Sequence, residues 1–245
     1  MRILALETAS SACAVAVVDG GNVLAEVALQ VPRAHSTRLM PLIAQMLDDS
    51  GVAKADLDGI AVGIGPGSFT GLRIGLATAK GLAFGLGKPC AGVSTLKAMA
   101  YGTGAQIGLV VPMLDAKRGE VFTAVYAAGS QDPATWAELI PPSHMHVDQL
   151  AEAIRSLREG LRHSWQFVTV CGDVAAKYAG ALGLGEASRL APAGAMLPRA
   201  WAVAELGAAA LAAGQGLDPD ALVPIYLRKS EAETLWEARK SPSSQ

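Results

Sequence analysis

Short apolar runs alternate with helix-like patterns along the whole chain, and glycine-rich turns separate them. Three apolar runs open the sequence, at 3–6, 12–18 and 23–29, and the turn at 19–22 reads Asp-Gly-Gly-Asn. A short glycine turn between two such runs is a strong β-hairpin signal. A further apolar run at 60–64 predicts a buried strand.

Helical spacing appears between these predicted strands. A helix is predicted from about 36 to 49, with Ser36 as its N-cap, although Pro41 indicates that the first turn begins later or bends. A second helix is predicted to start at Thr70, and a short strand follows it at 90–93. The apolar stripe of the first helix consists of Leu39, Leu42, Ile43, Met46 and Leu47.

The same kind of pattern starts again after Gly104. Strands are predicted at 107–114 and 121–127, joined by a turn at 115–119, and a third strand is predicted near 136–140. The later elements alternate between helix and strand and are predicted at 147–159, 167–171, 173–181 and 198–213. The sequence therefore reads as two copies of one α/β unit.

Size and composition fit two α/β domains, predicted at 1–104 and 105–218, with a C-terminal tail at 219–245. The chain has 245 residues, of which 51% are hydrophobic and only 17% are charged, so a large core is expected. The formal net charge is −2. No overall basic field draws the chain to nucleic acid, and any contact with RNA is expected to depend on another component.

The expected compartment is the cytoplasm. Cys13, Cys90 and Cys171 lie far apart in apolar stretches without CxxC spacing, which is typical of buried free thiols. Glu7 interrupts the N-terminal apolar run, so that run does not read as a signal peptide. No membrane contact is expected, since charged residues interrupt the apolar helix after Thr70.

The stretch 65–75 carries the most specific local signal, and it reads Gly-Pro-Gly-Ser-Phe-Thr-Gly-Leu-Arg-Ile-Gly. A strand, a glycine turn and a helix N-terminus in succession present backbone N–H groups, as phosphate-binding loops do. The spacing fits neither the P-loop nor the dinucleotide fingerprint. Ser68 is interpreted as a helix cap, because the surrounding residues do not form a nucleophile elbow.

Small residues recur every four positions along this helix, at Gly71, Gly75 and Ala79, and the pair Gly81 and Gly85 repeats the spacing on a neighbouring stripe. Each helical glycine lowers stability by roughly 1 kcal/mol relative to alanine, so a close contact is expected to compensate. That contact is either with a sheet of the same domain or with a helix of a partner. The residues alone leave both open.

Metal chemistry has little support in the sequence. The histidines are His35, His144, His146 and His163, and none of them forms the i, i+4 pair that presents two imidazoles to one ion. His144 and His146 follow two prolines and are expected in a surface loop. No metal site and no catalytic residue are predicted.

Two α/β units that each begin with a hairpin resemble the actin/Hsp70-like (RNase H-like) superfamily, which implies two tandem domains, each a mixed sheet flanked by helices. In that superfamily ATP binds between the halves. Ala9 stands where a glycine is usual and Glu7 where Asp is usual, which implies a weakened site with at most weak binding of ATP or ADP and no resident cofactor. The positions that correspond to this cleft are Glu7, Ser10, Ser11, Asp115, Gly119, Gly172 and Asp173.

A closer resemblance covers most of the chain, and it is to the TsaB (YeaZ) family, an inactive-looking paralogue of the TsaD/Kae1 group. The residues that carry it are the opening 3–9, the signature 65–75, the hairpin motif 115–121 and the Pro-Ile-Tyr-Leu-Arg motif at 224–228. Glu7 and Lys117 depart from the usual Asp and Arg. The resemblance covers 129–165 and 230–245 least well.

The resemblance implies a role in bacterial tRNA modification. TsaB-like chains are expected to act as the non-catalytic scaffold of a complex with TsaD and the ATPase TsaE. That complex transfers threonylcarbamoyl from its adenylate to the adenosine beside the anticodon, and tRNA is contacted only through the complex. TsaD would form a heterodimer with this chain, and the chain alone would form a homodimer. The interface residues that the resemblance implies are His35, Leu39, Leu42, Met46, Thr70, Gly71, Arg73, Gly75 and Ala79.

Two other functional classes stay open from the sequence. One is an ATPase or kinase of the actin-like fold that acts alone, and nucleotide binding by the isolated chain would distinguish it. The other is a metallopeptidase, which would contain bound zinc or iron.

Overall fold

The computed structural model describes residues 1–30, 35–105, 107–130, 132, 135–160 and 167–228. The strands are β1 (Arg2–Glu7), β2 (Cys13–Asp19), β3 (Asn22–Leu29), β4 (Gly59–Gly65), β5 (Cys90–Ser94), β6 (Gly108–Lys117), β7 (Glu120–Ala128), β8 (Ala137–His146), β9 (Val168–Cys171) and β10 (Ser188–Leu190). The α-helices are α1 (His35–Ser50), α2 (Phe69–Leu86), α3 (Thr95–Gly102), α4 (Val147–Gly160), α5 (Ala175–Tyr178) and α6 (Ala200–Ala212). Within the described ranges, no helix is both long and apolar enough to cross a bilayer.

The strands form two five-stranded sheets with equivalent topology. The first has the order β3-β2-β1-β4-β5 and the second β8-β7-β6-β9-β10. In each sheet the first strand is central, an antiparallel hairpin lies on one side of it, and parallel strands lie on the other. Asp19 pairs with Asn22, as the hairpin signal predicts. The predicted fold class, two mixed sheets flanked by helices, is confirmed.

Both faces of the first sheet are buried. Alternate residues of a strand point to opposite faces, so Leu4 and Leu6 of β1 pack beneath α1 and α2, whereas Ile3 and Ala5 pack against α6. This burial explains why the central strands read as nearly continuous apolar runs rather than as an alternating pattern.

Helix α6 packs on the first sheet, although it follows the strands of the second sheet in the chain. It packs mainly against β1, β2, β4 and β5 and also contacts β3 and α3. An added Cβ at Gly207 would overlap the side chain of Ala61, so small residues on both elements permit the close packing.

Helix α3 lies between the two sheets. Leu96 and Met99 of α3 are fully buried, and they share an apolar cluster with Val110 of β6 and Tyr126 of β7. The two halves therefore meet through a continuous core rather than through a polar interface.

Three local expectations need correction. The segment around His144 and His146 is part of β8 rather than a loop; Pro141 and Pro142 are compatible with this because β8 is an edge strand. The helix predicted at 173–181 is only the four-residue α5, followed by tight turns. Helix α1 begins at His35 and continues past Pro41, which is exposed.

Candidate partner surface and interdomain crevice

The glycine turn at 65–68 is held by the neighbouring segments of the first sheet. Gly65 has φ +101° and its N–H donates to Oγ1 of Thr95 at 3.2 Å. The N–H of Ser68 donates to the carbonyl oxygen of Ala9 at 2.6 Å. Oγ of Ser68 accepts the N–H of Gly71 at 3.2 Å, which confirms Ser68 as the N-cap of α2. These contacts use backbone groups of the turn that a phosphate-binding loop would offer to a ligand.

The stripe Gly71, Gly75 and Ala79 faces the first sheet. All three residues are buried. A Cβ added at Gly71 would overlap the carbonyl oxygen of Thr8, and one added at Gly75 would overlap the Thr8 hydroxyl. The four-residue spacing left two contacts open, one with a sheet of the same domain and one with a partner helix. In the structure, these residues contact the sheet. The first sheet therefore accounts for the small residues of this stripe.

Three more residues of the predicted interface also lie in the core. Leu39, Leu42 and Met46 pack between α1 and the sheet, where they are 1%, 7% and 6% exposed. Thr70 is exposed, and His35 is half-buried with Nε2 at 3.2 Å from the carbonyl oxygen of Ala12. Of the predicted interface, only the outward-facing residues are thus available to another molecule.

The outer side of α2 is apolar and has no cover from the described part of the chain. Ala77, Gly81, Phe84 and Gly85 are exposed there, and the Phe84 side chain is 84% exposed. Added Cβ atoms at Gly81 and Gly85 would meet nothing within 4 Å. The spacing of these four residues places them on one helix face, called here the α2 outer face. In the sequence, this face is indicated by the second small-residue stripe, Gly81 and Gly85.

Arg73 is held rigidly at the beginning of α2. Its guanidinium lies 3.9 Å from the ring centroid of Phe69, and its Nε donates to the hydroxyl of Tyr226 at 3.2 Å. The rings of Phe69 and Tyr226 are 4.8 Å apart. Stacking of this kind orients the guanidinium, and Arg73 stays exposed.

Glu7 is a fully buried carboxylate at the end of β1. Its Oε1 accepts the N–H of Ala9 at 2.6 Å, and its Oε2 accepts the hydroxyl of Thr95 at 3.0 Å. Gly63 of β4 leaves the space that the carboxylate occupies, since an added Cβ there would overlap Oε2. Burial raises the pKa of Glu7 from 4.5 to about 7, while these hydrogen bonds oppose the rise. No ion pair to Glu7 is found among the described residues.

The neighbours of Glu7 in the predicted cleft, Ser10 and Ser11, lie in the turn that joins β1 to β2. Ser10 is buried, and its Oγ accepts the N–H of Ala12 at 3.1 Å, whereas Ser11 is exposed. The Glu7 carboxylate is therefore directed into the sheet rather than toward a solvent-facing phosphate position.

The predicted cleft residues of the second half come together at the carboxyl ends of β6 and β9. The N–H of Asp115 donates to Oδ1 of Asp173 at 3.0 Å, and Lys117 donates to Asp115 through both its N–H and its Nζ. Burial acts to raise the pKa of Asp115, but the hydrogen bonds from Lys117 lower it overall; burial raises the pKa of Asp173.

Gly119 and Gly172 shape the backbone beside these carboxylates. Gly172 has φ +121°, and a Cβ there would overlap the carbonyl oxygen of Met113. Gly119 has φ +81° in the hairpin turn and lies against the ring of His146. Both glycines are required by the fold itself, so neither is evidence for a nucleotide.

The histidines that the structure describes have separate partners. Nε2 of His144 is 3.0 Å from Glu120, and Nδ1 of His146 is 3.2 Å from Asp148. Across the described ranges, no group of three His, Cys, Asp or Glu side chains is arranged to hold a metal. His163 lies outside the described residues.

Comparison with known proteins identifies the family. A family model described as TsaD, tRNA N6-adenosine threonylcarbamoyltransferase, matches residues 22–236. The tRNA threonylcarbamoyladenosine biosynthesis protein TsaB of Bacillus subtilis (strain 168) is 33% identical over 238 residues, which cover 96% of this chain and 98% of that protein. The chain belongs to the TsaB family.

Other TsaB relatives agree with this membership. The Escherichia coli (strain K12) protein of the same name is 46% identical over 128 residues, or 51% of this chain and 55% of that protein. The structure of YeaZ from Pseudomonas aeruginosa superposes with a TM-score of 0.74 and 27% identity, covering 92% of this chain and 99% of that one. The TsaB (YeaZ) resemblance seen in the sequence is confirmed.

Proposed function

We propose that this chain is the non-catalytic scaffold subunit of a complex with TsaD and TsaE that transfers threonylcarbamoyl to N6 of the adenosine beside the tRNA anticodon. The observation that carries the proposal is the near full-length match to a TsaB protein named for tRNA threonylcarbamoyladenosine biosynthesis. TsaD is proposed as the direct partner, with tRNA contacted through the complex.

The hydrogen bonds of the predicted cleft residues support a scaffold more than an independent enzyme. Glu7 is directed into the sheet, and the N–H of Ser68 is bound by a carbonyl group of the same chain. Asp115 is neutralised by Lys117. A catalytic nucleotide site needs polar groups that are free to bind the ligand. In this chain, the Glu7 carboxylate, the N–H of Ser68 and the Asp115 carboxylate already have partners within the chain.

The surface proposed for the partner is the α2 outer face together with the exposed residues Thr70 and Arg73. Exposed apolar residues on a helix with open glycine positions allow another helix to approach closely, and a rigidly held arginine is a common anchor at interfaces. TsaD is proposed to occupy this surface in the complex. When TsaD is absent, a second copy of the chain occupies it and forms the homodimer.

The decisive experiment measures threonylcarbamoyl transfer to unmodified tRNA by purified TsaD and TsaE from the same organism, with and without this chain. Transfer that appears only when the chain is added, with none from the chain alone, is the expected result. Equal transfer without the chain would contradict the scaffold role. A nucleotide titration of the isolated chain tests the alternative, because a stand-alone ATPase or kinase requires stoichiometric binding and turnover.

A further inference from the structure

The segment 222–228, called here the strap, runs from the first sheet to the second. Leu222 is buried in the core beneath α1 and α2. The N–H of Ile225 donates to the carbonyl oxygen of Ile64 in β4 at 2.8 Å. At the other end, the guanidinium of Arg228 donates to the carbonyl oxygen of Ala116 in β6 and lies 3.8 Å from Glu120. The two ends are therefore anchored on different sheets.

The middle of the strap contacts both halves as well. Tyr226 stacks on Phe69 and accepts a hydrogen bond from Arg73 at the beginning of α2. Leu227 packs against the apolar cluster that α3 shares with β6 and β7. The contacts of the strap thus pass from the first half, at Ile225 and Tyr226, to the second half, at Leu227 and Arg228.

The strap crosses the edge at which α/β proteins usually bind ligands. Ile64 and Ala116 lie near the carboxyl ends of β4 and β6, and ligands of open α/β sheets bind outside the carboxyl ends of the strands. Ile225 and Arg228 are three residues apart, a separation of at most about 11 Å in extended chain. The strap therefore holds the two carboxyl edges close together.

The two anchors differ in strength. On the first sheet, Leu222 is 1% exposed and Ile225 is fixed by a backbone hydrogen bond. On the second sheet, the polar anchor is the Arg228 side chain, which is 35% exposed, as is Glu120. Solvent weakens an ion pair of this exposure. We propose that the strap is an interdomain latch at the carboxyl edges: release of Arg228 lets these two edges separate, while the apolar core around α3 keeps the halves joined.

Hydrogen exchange of the intact chain tests the latch. In Arg228→Ala, the Ile225 amide is expected to exchange about tenfold faster, because loss of the charge-assisted bond at one end loosens the strap at the other. Arg189→Ala is the matched control, since Arg189 stacks on Phe167 in the same half. Arg228→Lys keeps the charge beside Glu120 and is expected to restore part of the protection.

Interdomain distance is the second measurement. Spin labels on exposed positions beside the two carboxyl edges, Ser11→Cys after β1 and Asp148→Cys after β8, are expected to give one narrow distance distribution that broadens toward longer values in Arg228→Ala. Native Ile225 exchange and an unchanged distribution in the folded variant would overturn the latch, even if exchange rises locally at 115–120. If Arg228→Ala does not fold, both measurements are made on Arg228→Lys and Glu120→Gln, with the same criteria.

Discussion

The hydroxyl of Thr8, directly after β1, donates a hydrogen bond to the carbonyl oxygen of Gly71 in α2 at 2.8 Å. Both residues are buried, and the bond is possible because the helix approaches the strand with no side chain between them. Gly75, one turn later, lies against the same hydroxyl. The glycines of the signature motif thus fix the distance between α2 and the central strand of the first sheet.

Alanine substitutions on the two glycine stripes of α2 are expected to have opposite effects on stability. Gly75→Ala forces the buried Thr8 hydroxyl to move, and overpacking of this kind lowers the free energy of unfolding by about 2 kcal/mol. Gly81→Ala adds a methyl group in open space in the single chain and, at a concentration at which the chain is monomeric, should raise it by roughly 0.5–1 kcal/mol through helix propensity. Chemical denaturation of both variants checks this. Equal effects at the two positions would show that α2 does not pack as described.

Glu7 is expected to make stability depend on pH between about 4.5 and 7. Its pKa is 4.5 when unperturbed and about 7 in the folded chain, so the folded state holds the proton over a range in which the unfolded state has lost it. The contribution of this group to the free energy of unfolding therefore falls as pH rises through that range, by about 3 kcal/mol, and stays constant above it.

Glu7→Gln is the variant that tests this, because glutamine is neutral at every pH and of similar size. As pH falls from 8 to 5, the wild-type chain should gain roughly 2–3 kcal/mol of stability relative to the variant. Denaturation midpoints at several pH values measure the difference. Parallel curves for the two chains would mean that the Glu7 carboxyl has an ordinary pKa and is not buried as described.

The elements that the sequence predicts best depend on local residues. The hairpin at 19–22 and the Ser68 cap are set by neighbours within a few positions, and both are confirmed. The packing position of α6 could not be predicted in this way. Its small residues indicate close packing, but they do not show which of the two sheets it packs against. The edge position of β8, which makes Pro141 acceptable in a strand, also depends on distant pairing.

The candidate site shows the same limit. Four-residue spacing at Gly71 and Gly75 predicts a close approach correctly, but only the three-dimensional structure shows that Thr8, more than sixty positions earlier, supplies it. The role of Glu7 depends on Thr95, which is 88 positions away. The TsaB resemblance predicts the family, whereas only the three-dimensional structure shows which residues of α1 and α2 face outward.

Glu26 on β3 is expected to be a strong tether of α6. Its carboxylate, 9% exposed, pairs with Arg199 and accepts the N–H of Trp201 at the helix N-terminus, at 3.1 Å. Glu26→Ala leaves these donors without their acceptor and should lower the free energy of unfolding by about 2 kcal/mol. The control is Glu152→Ala, which removes an exposed pair with Arg155 and should change stability by less than about 0.5 kcal/mol. A Glu26→Ala variant as stable as the control would contradict the tether.

Phe84 is the residue on which the proposed partner surface can be tested most directly. Its side chain is almost fully exposed and has open glycine positions on both sides, so Phe84→Asp should not disturb the fold. It would place a charge in the centre of the α2 outer face, and loss of a central aromatic anchor should weaken binding to TsaD by tenfold or more, or roughly 1.4 kcal/mol or more.

The matched control for this test is Ile107→Asp, which places the same charge on another exposed apolar residue outside the α2 outer face. Titration of each folded variant against TsaD measures the affinity, and light scattering of the chain alone measures self-association. Both should be reduced in Phe84→Asp and retained in Ile107→Asp, because one surface is proposed to serve both partners. Native affinity for TsaD in Phe84→Asp would move the partner surface elsewhere on the chain, whereas loss of self-association alone would separate the two interfaces.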